Sequence, residues 1–99
     1  MPIYRYSTWR SYDNSGATDA DCVVRISGSE IVVEFEGDGT NVWHRYVGEE
    51  EGEGHYQLTC PELSGTATLH RLKDADILEG RWKEGGEIGM WIIELSNEE

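Results

Sequence analysis

The stretch HYQLTCPELSGTATLHRLKDADILEGRWKEGGEIGMWII, residues 55–93, decides how the chain folds. Three turn sequences punctuate it: Pro61 to Ser64, Lys73 to Asp76, and Gly85-Gly86. Between them apolar residues recur at every second position, the period of a strand with one buried face. Folding the stretch at its turns tests that reading, because register must place the apolar side chains of each pair on one face. A loop at 61–64 sets Tyr56 against Leu69, Leu58 against Ala67 and Cys60 against Gly65. A loop at 73–76 sets Ala67 against Trp82, Leu69 against Gly80, Thr68 against Arg81 and His70 against Glu79. A turn at Gly85-Gly86 sets Trp82 against Gly89, Gly80 against Trp91 and Leu78 against Ile93. Each large ring meets a missing side chain, which is how a crowded interior interdigitates.

Upstream, Gly28-Ser29 reads as a two-residue hairpin turn. It pairs Ile26 with Ile31, Val24 with Val33 and Cys22 with Phe35, all apolar. No window holds the i, i+3, i+4, i+7 apolar spacing of a helix. The predicted strands are 3–10, 20–27, 30–36, 41–47, 55–60, 65–72, 77–84 and 87–95. Two of them keep two faces open. In 41–47, a two-residue Asp38-Gly39 turn puts Val42, His44 and Tyr46 inside, and a three-residue turn puts Trp43, Arg45 and Val47 inside. In 3–10, Tyr4 and Tyr6 share one face, Ile3 and Trp9 the other. The run Glu49-Glu50-Glu51-Gly52-Glu53-Gly54 reads as a solvated loop.

Eight short antiparallel strands joined by consecutive hairpins form an up-and-down meander. Left flat, it would expose its edges and an apolar face. Closed, it buries that face and removes the edges. The expected fold is therefore all-β, a single small barrel domain over residues 1–99. The tail Leu78-Glu79-Gly80-Arg81-Trp82, followed by Gly89-Met90-Trp91, resembles the Gly-x-Trp strands of calycin-type barrels, the lipocalin and avidin relatives. Lipocalins carry Gly-x-Trp on the first strand, whereas here Ser7-Thr8 precedes Trp9. The chain also resembles small bacterial barrel proteins.

The 99 residues carry 20 acidic and 8 basic side chains, a formal net charge of -12. Such a chain repels nucleic-acid phosphates and anionic membrane surfaces. No apolar run approaches the ~18 residues of a membrane span. The N-terminal Met1-Pro2-Ile3-Tyr4-Arg5-Tyr6 lacks the apolar core of a signal peptide. A cytoplasmic protein is the expectation, with Cys22 and Cys60 as thiols. The sequence holds no phosphate-cradling glycine loop, no Gly-x-Ser-x-Gly elbow and no His-Glu-x-x-His. An enzyme is not expected, and no cofactor is implied.

The candidate ligand-binding residues are Tyr46, Tyr56, Arg71, Trp82 and Trp91. Arg71 shares the inward parity of Ala67 and Leu69 near a strand end, where a guanidinium can receive a carboxylate. Trp82, Trp91 and Tyr56 offer stacking surfaces that equally suit a core. His55, His70 and Glu79 fall in a row across three strands on the polar face. Their chemistry suits zinc, but a solvated exterior row is the commoner meaning, and no metal site is expected.

The leading expectation is a non-enzymatic barrel binding a small apolar or amphipathic molecule at one mouth. An acidic interaction or inhibitor module that mimics nucleic acid comes second, from the net charge. A subunit pairing through Met90 and Ile92, as a homodimer, comes third. The charge generates a direct prediction: at low salt the protein leaves duplex DNA unshifted in a gel, and a retained band contradicts it.

Overall fold

The computed structural model describes residues 3–37 and 42–97. The strands are β1 (Ile3–Asp13), β2 (Gly16–Ser27), β3 (Glu30–Gly37), β4 (Val42–Gly52), β5 (His55–Cys60), β6 (Gly65–Arg71), β7 (Ile77–Glu84) and β8 (Glu87–Glu94). They follow one another as neighbours, and antiparallel pairing of β1 with β8 closes the barrel. A 3-10 turn, Pro61–Leu63, sits between β5 and β6. Ser64 ends it with a left-handed backbone, φ 50°, and its N–H donates to the Pro61 carbonyl at 3.1 Å.

The hairpin registers stand as the turn chemistry requires. Cys22 faces Phe35, Leu58 faces Ala67, Gly80 faces Trp91 and Trp82 faces Gly89. The buried face holds Val24, Ile31, Val33, Leu58, Leu69, Leu78 and Ile93, all fully enclosed. In β4 the two-residue parity is the observed one. Gly37 pairs with Val42, His44 with Phe35, and Tyr46 with Val33. Trp43 and Val47 point outward, and Tyr46 is buried. The Asp38-Gly39 turn itself lies outside the described residues.

Three features depart from the sequence reading. First, β1 takes neither single face. Tyr4 stands opposite Val24 and Ser7 opposite Cys22, so two residues, Arg5 and Tyr6, oppose Val23 alone. This bulge swaps the parity, and Tyr4 and Trp9 both pack on the core. Ser7, the buried polar side chain here, donates to the Tyr4 carbonyl and accepts from the Ser96 N–H, each at 3.1 Å. The Tyr6 N–H returns to the Ser96 carbonyl at 3.0 Å. A β-bulge leaves backbone groups unpaired, and the C-terminal segment satisfies them here.

Second, Glu49, Glu50 and Glu51 belong to β4 rather than to a loop. Glu49 pairs with both Glu30 and Gln57, and Glu50 with Tyr56. Only Glu53 and Gly54 turn, with Gly54 at φ 75°. Charge does not unmake a strand whose side chains all reach water, because its backbone still needs partners. β1 and β2 likewise run to Asp13 and from Gly16, around a turn at Asn14-Ser15.

Third, the β6–β7 ladder opens between Ala67–Trp82 and His70–Glu79. There the Trp91 indole N–H donates to the Thr68 carbonyl at 3.0 Å. The Arg81 N–H turns to the Thr68 hydroxyl at 3.3 Å instead. A Cβ on Gly80 would overlap the Thr68 carbonyl, and one on Gly89 would overlap Trp82 and the Tyr12 carbonyl.

Gly80→Val is therefore expected to destabilise by about 1–3 kcal/mol. That should lower the melting temperature by roughly 4 °C or more for a domain of this size. Gly86→Ala is the control, since a Cβ there meets nothing within 4 Å. Equal melting temperatures for the two variants, by circular dichroism, would refute the packing.

Candidate functional site

The five candidate residues divide between the barrel's two ends. Tyr46, Trp82 and Trp91 stand at the end where β1 and β7 finish and β2 and β8 begin. Tyr56 and Arg71 stand at the other. There the Arg71 side chain donates through Nε to the Ala75 carbonyl at 2.7 Å, and its guanidinium carbon lies 5.9 Å from the Tyr4 ring centroid. The Arg71 N–H donates to the Gly54 carbonyl at 2.8 Å, and the Leu95 N–H to Asp76 at 2.7 Å. Tyr56 and Leu95 are buried beneath these contacts. Arg71 acts as a strap over a plugged end and does not reach the same space as the tryptophans.

The tryptophan end is open. A cavity of about 660 Å³ lies there, within the size range of small-ligand sites. Its floor is Tyr46, whose ring crosses the interior to the one place where β6 has no side chain: a Cβ on Gly65 would strike its hydroxyl. That hydroxyl donates to Glu84 at 2.6 Å. The walls form a continuous aromatic series. Trp9 meets Phe35 edge-on with centroids 5.3 Å apart. Phe35 lies 5.7 Å from His44 and 6.2 Å from Tyr46, and Tyr46 lies 5.3 Å from Trp91. Trp82 and Trp43 complete the lining.

Trp9, Phe35, Trp43 and His44 were not among the candidate binding residues, yet they make four of the seven rings of this wall. Trp9 was hidden by the bulge in β1. His44 and Trp43 were hidden because the two parities of β4 were equally mixed in polarity. Trp43 faces outward from the strand and is half exposed, but it stands at the rim and so borders the cavity.

Three polar atoms here lack partners, two of them indole donors. Trp9 Nε1, Trp82 Nε1 and His44 Nδ1 are buried and make no hydrogen bond. Buried indole N–H groups ordinarily find an acceptor. Glu62 stands 3.7 Å from His44 Nδ1, near enough for charge attraction but not for a hydrogen bond. Trp91 is different, because Thr68 already satisfies its indole.

On the outer face, His55 and His70 hydrogen-bond to each other through their Nε2 atoms, with Glu79 in register beside His70. Among the described residues no group of three side chains converges as metal ligands. Cys22 and Cys60 are buried free thiols. Burial, with Asp21 adding repulsion, pushes the Cys22 thiol up to about 12. Burial and the bond to Glu84 raise the Tyr46 phenol as well. Around the rim, the Arg10 guanidinium holds the Asp19 carboxyl below the usual carboxylate range.

No protein-family model, curated protein or solved structure matches the chain.

The raised acids generate a pH prediction. Cys22 and Tyr46 ionise more readily unfolded than folded, so their neutral forms favour the native state. That contribution is complete below the ordinary thiol value near 9 and is lost as pH rises toward 12. Melting temperature should fall across this window, and less steeply in a Cys22→Ala, Tyr46→Phe variant. Equal slopes for the two proteins would contradict the assignment.

Proposed function

We propose that the protein is a non-enzymatic binding barrel that takes a small amphipathic molecule into the aromatic mouth around Tyr46, Trp82 and Trp91. The observation that carries this reading is the pairing of an open aromatic cavity with two indole N–H groups, on the lining residues Trp9 and Trp82, that are buried and unpartnered. A ligand with an apolar body and one or two hydrogen-bond acceptors answers both. Leaving a buried donor unsatisfied costs about 1–3 kcal/mol, so an acceptor brought to it binds with a corresponding gain.

The closed-barrel architecture supports the same use, since barrel mouths are common places for small-molecule pockets. Here the interior below Tyr46 is filled by Val33, Leu58, Leu69 and Ile93. An eight-stranded barrel is about wide enough for its own side chains. A long lipid chain has nowhere to go, and the ligand is metabolite-sized. Tyr56 and Arg71 drop out of the binding set, because the strap at their end keeps them from the cavity.

The four tryptophans supply the test. In nitrogen-labelled protein, small amphipathic fragments should shift the indole resonances of Trp9 and Trp82. A long-chain fatty acid should not. Shifts confined to the residues around Arg71, or tight fatty-acid binding, would overturn the proposal. Trp82→Ala should abolish the fragment response; in a half-buried ring a fold loss near the ~3–5 kcal/mol of a core aromatic would mark Trp82 as structural instead.

A further inference from the structure

We infer that the ligand of this mouth is a small organic cation, a quaternary or protonated amine that carries a hydroxyl or carbonyl acceptor. The inference rests on the ligand-binding reading above and adds the charge. Asp13, Asp19, Asp21, Glu36, Glu84 and Glu87 all line the cavity, and among the described residues no lysine or arginine does. Among the described residues, the only ion pair formed by these six is Arg10 with Asp19. Asp13 accepts from the Ser15 N–H and Glu84 from the Tyr46 hydroxyl, contacts that orient the carboxylates without neutralising them.

The carboxylates do not stand alone. They ring a cavity bordered by four indoles, Trp9, Trp43, Trp82 and Trp91, beside Tyr46, and indole is the aromatic that best attracts a cation. A wall of rings under a rim of negative charge selects against anions and gives neutral molecules no electrostatic gain. A concave site lined by one sign of charge over a low-dielectric wall also focuses that field. The unpartnered indole N–H groups of Trp9 and Trp82 have the opposite requirement, an acceptor atom. A cationic head with a short polar arm satisfies both, and its methyl groups contact the rings.

The His44 imidazole also lies in the lining, 3.7 Å from Glu62 and with its ring centroid 5.7 Å from that of Phe35.

The test compares choline with 3,3-dimethyl-1-butanol, which replaces the quaternary nitrogen by carbon and keeps the shape and the hydroxyl. Tryptophan fluorescence and the indole resonances read binding at pH 7.5. Choline is expected to bind at least about tenfold more tightly, in line with a cation over aromatic rings beside carboxylates. Added salt should weaken choline and leave the alcohol unchanged. Asp21→Asn with Glu87→Gln, both at exposed positions, should weaken choline about fivefold or more and spare the alcohol. Equal affinity for the two compounds would overturn the cation inference and leave the pocket reading standing. Response to neither compound up to 10 mM would overturn it as well, and the fragment experiment above then decides whether the pocket binds at all.

Discussion

An eight-stranded barrel of short strands has an interior only about as wide as the side chains that fill it. Nearly everything in this structure follows from fitting too many aromatic rings into that width. The chain places Tyr46, Trp82 and Trp91 on inward positions, and none of them fits against an ordinary neighbour. Two are accommodated by a glycine, Tyr46 at Gly65 and Trp82 at Gly89, and Trp91 stands in register with Gly80, where a Cβ would strike the Thr68 carbonyl that the indole bonds. The Trp91 indole even displaces a backbone partner, because the Thr68 carbonyl accepts from it while the Arg81 N–H turns to the Thr68 hydroxyl. Close packing leaves no slack, so volume and hydrogen bonding are solved at the same positions.

That solution also makes the two ends unlike. Branched aliphatic residues pack the middle, and the other end is finished by Tyr4, Tyr56, Leu95 and the Arg71 strap. Rings collect at the end where the strands have room to splay. A planar side chain at a barrel mouth cannot be covered on all sides, so part of its surface stays available. The cavity is thus the outer boundary of the packing problem, and its indole N–H groups are left over where the ladder offers no acceptor. Folding and the proposed binding draw on the same residues, and Trp82 serves the packing while it lines the cavity.

The hairpins were legible because two independent kinds of information coincide in them. Turn residues fix a register, and the register then sorts polarity, as with Gly85-Gly86 and the pairs Trp82–Gly89 and Gly80–Trp91. β1 was not legible, because its bulge moves the buried face from the parity of Tyr4 to that of Trp9. A period of two assumes an unbroken strand, and no residue type announces the extra one. The glutamate run misled for a different reason. Acidic side chains report exposure, but exposure of side chains says nothing about whether the backbone is paired, and Glu49 and Glu50 are paired on the ladder. The site was half legible. Parity told which residues point inward, yet it does not say toward which end they lie. Position along the strand does: Leu78, the partner of Arg71, precedes Trp82 by a full turn of the pleat and more, which places the arginine and the tryptophans apart.

The strand ends also explain where the charge went. Net charge of -12 on a small barrel must be carried by outward positions and by rims, since the interior admits almost no polar group beyond Ser7. On the outer face, carboxylates meet cations across strands, as Arg25 and Arg45 meet Glu34. At the tryptophan mouth Asp19 alone of the lining carboxylates does so among the described residues, with Arg10, because Arg45 of β4 and Arg81 and Lys83 of β7 are exposed on the outer face while the rim is built from strand ends and turns. A rim whose carboxylates are neutralised only at Asp19 repels itself, and that repulsion opposes stability at the place where the rings are least covered. A positive guest relieves it. The mouth is therefore the part of the molecule with most to gain from a ligand, both in covered aromatic surface and in compensated charge.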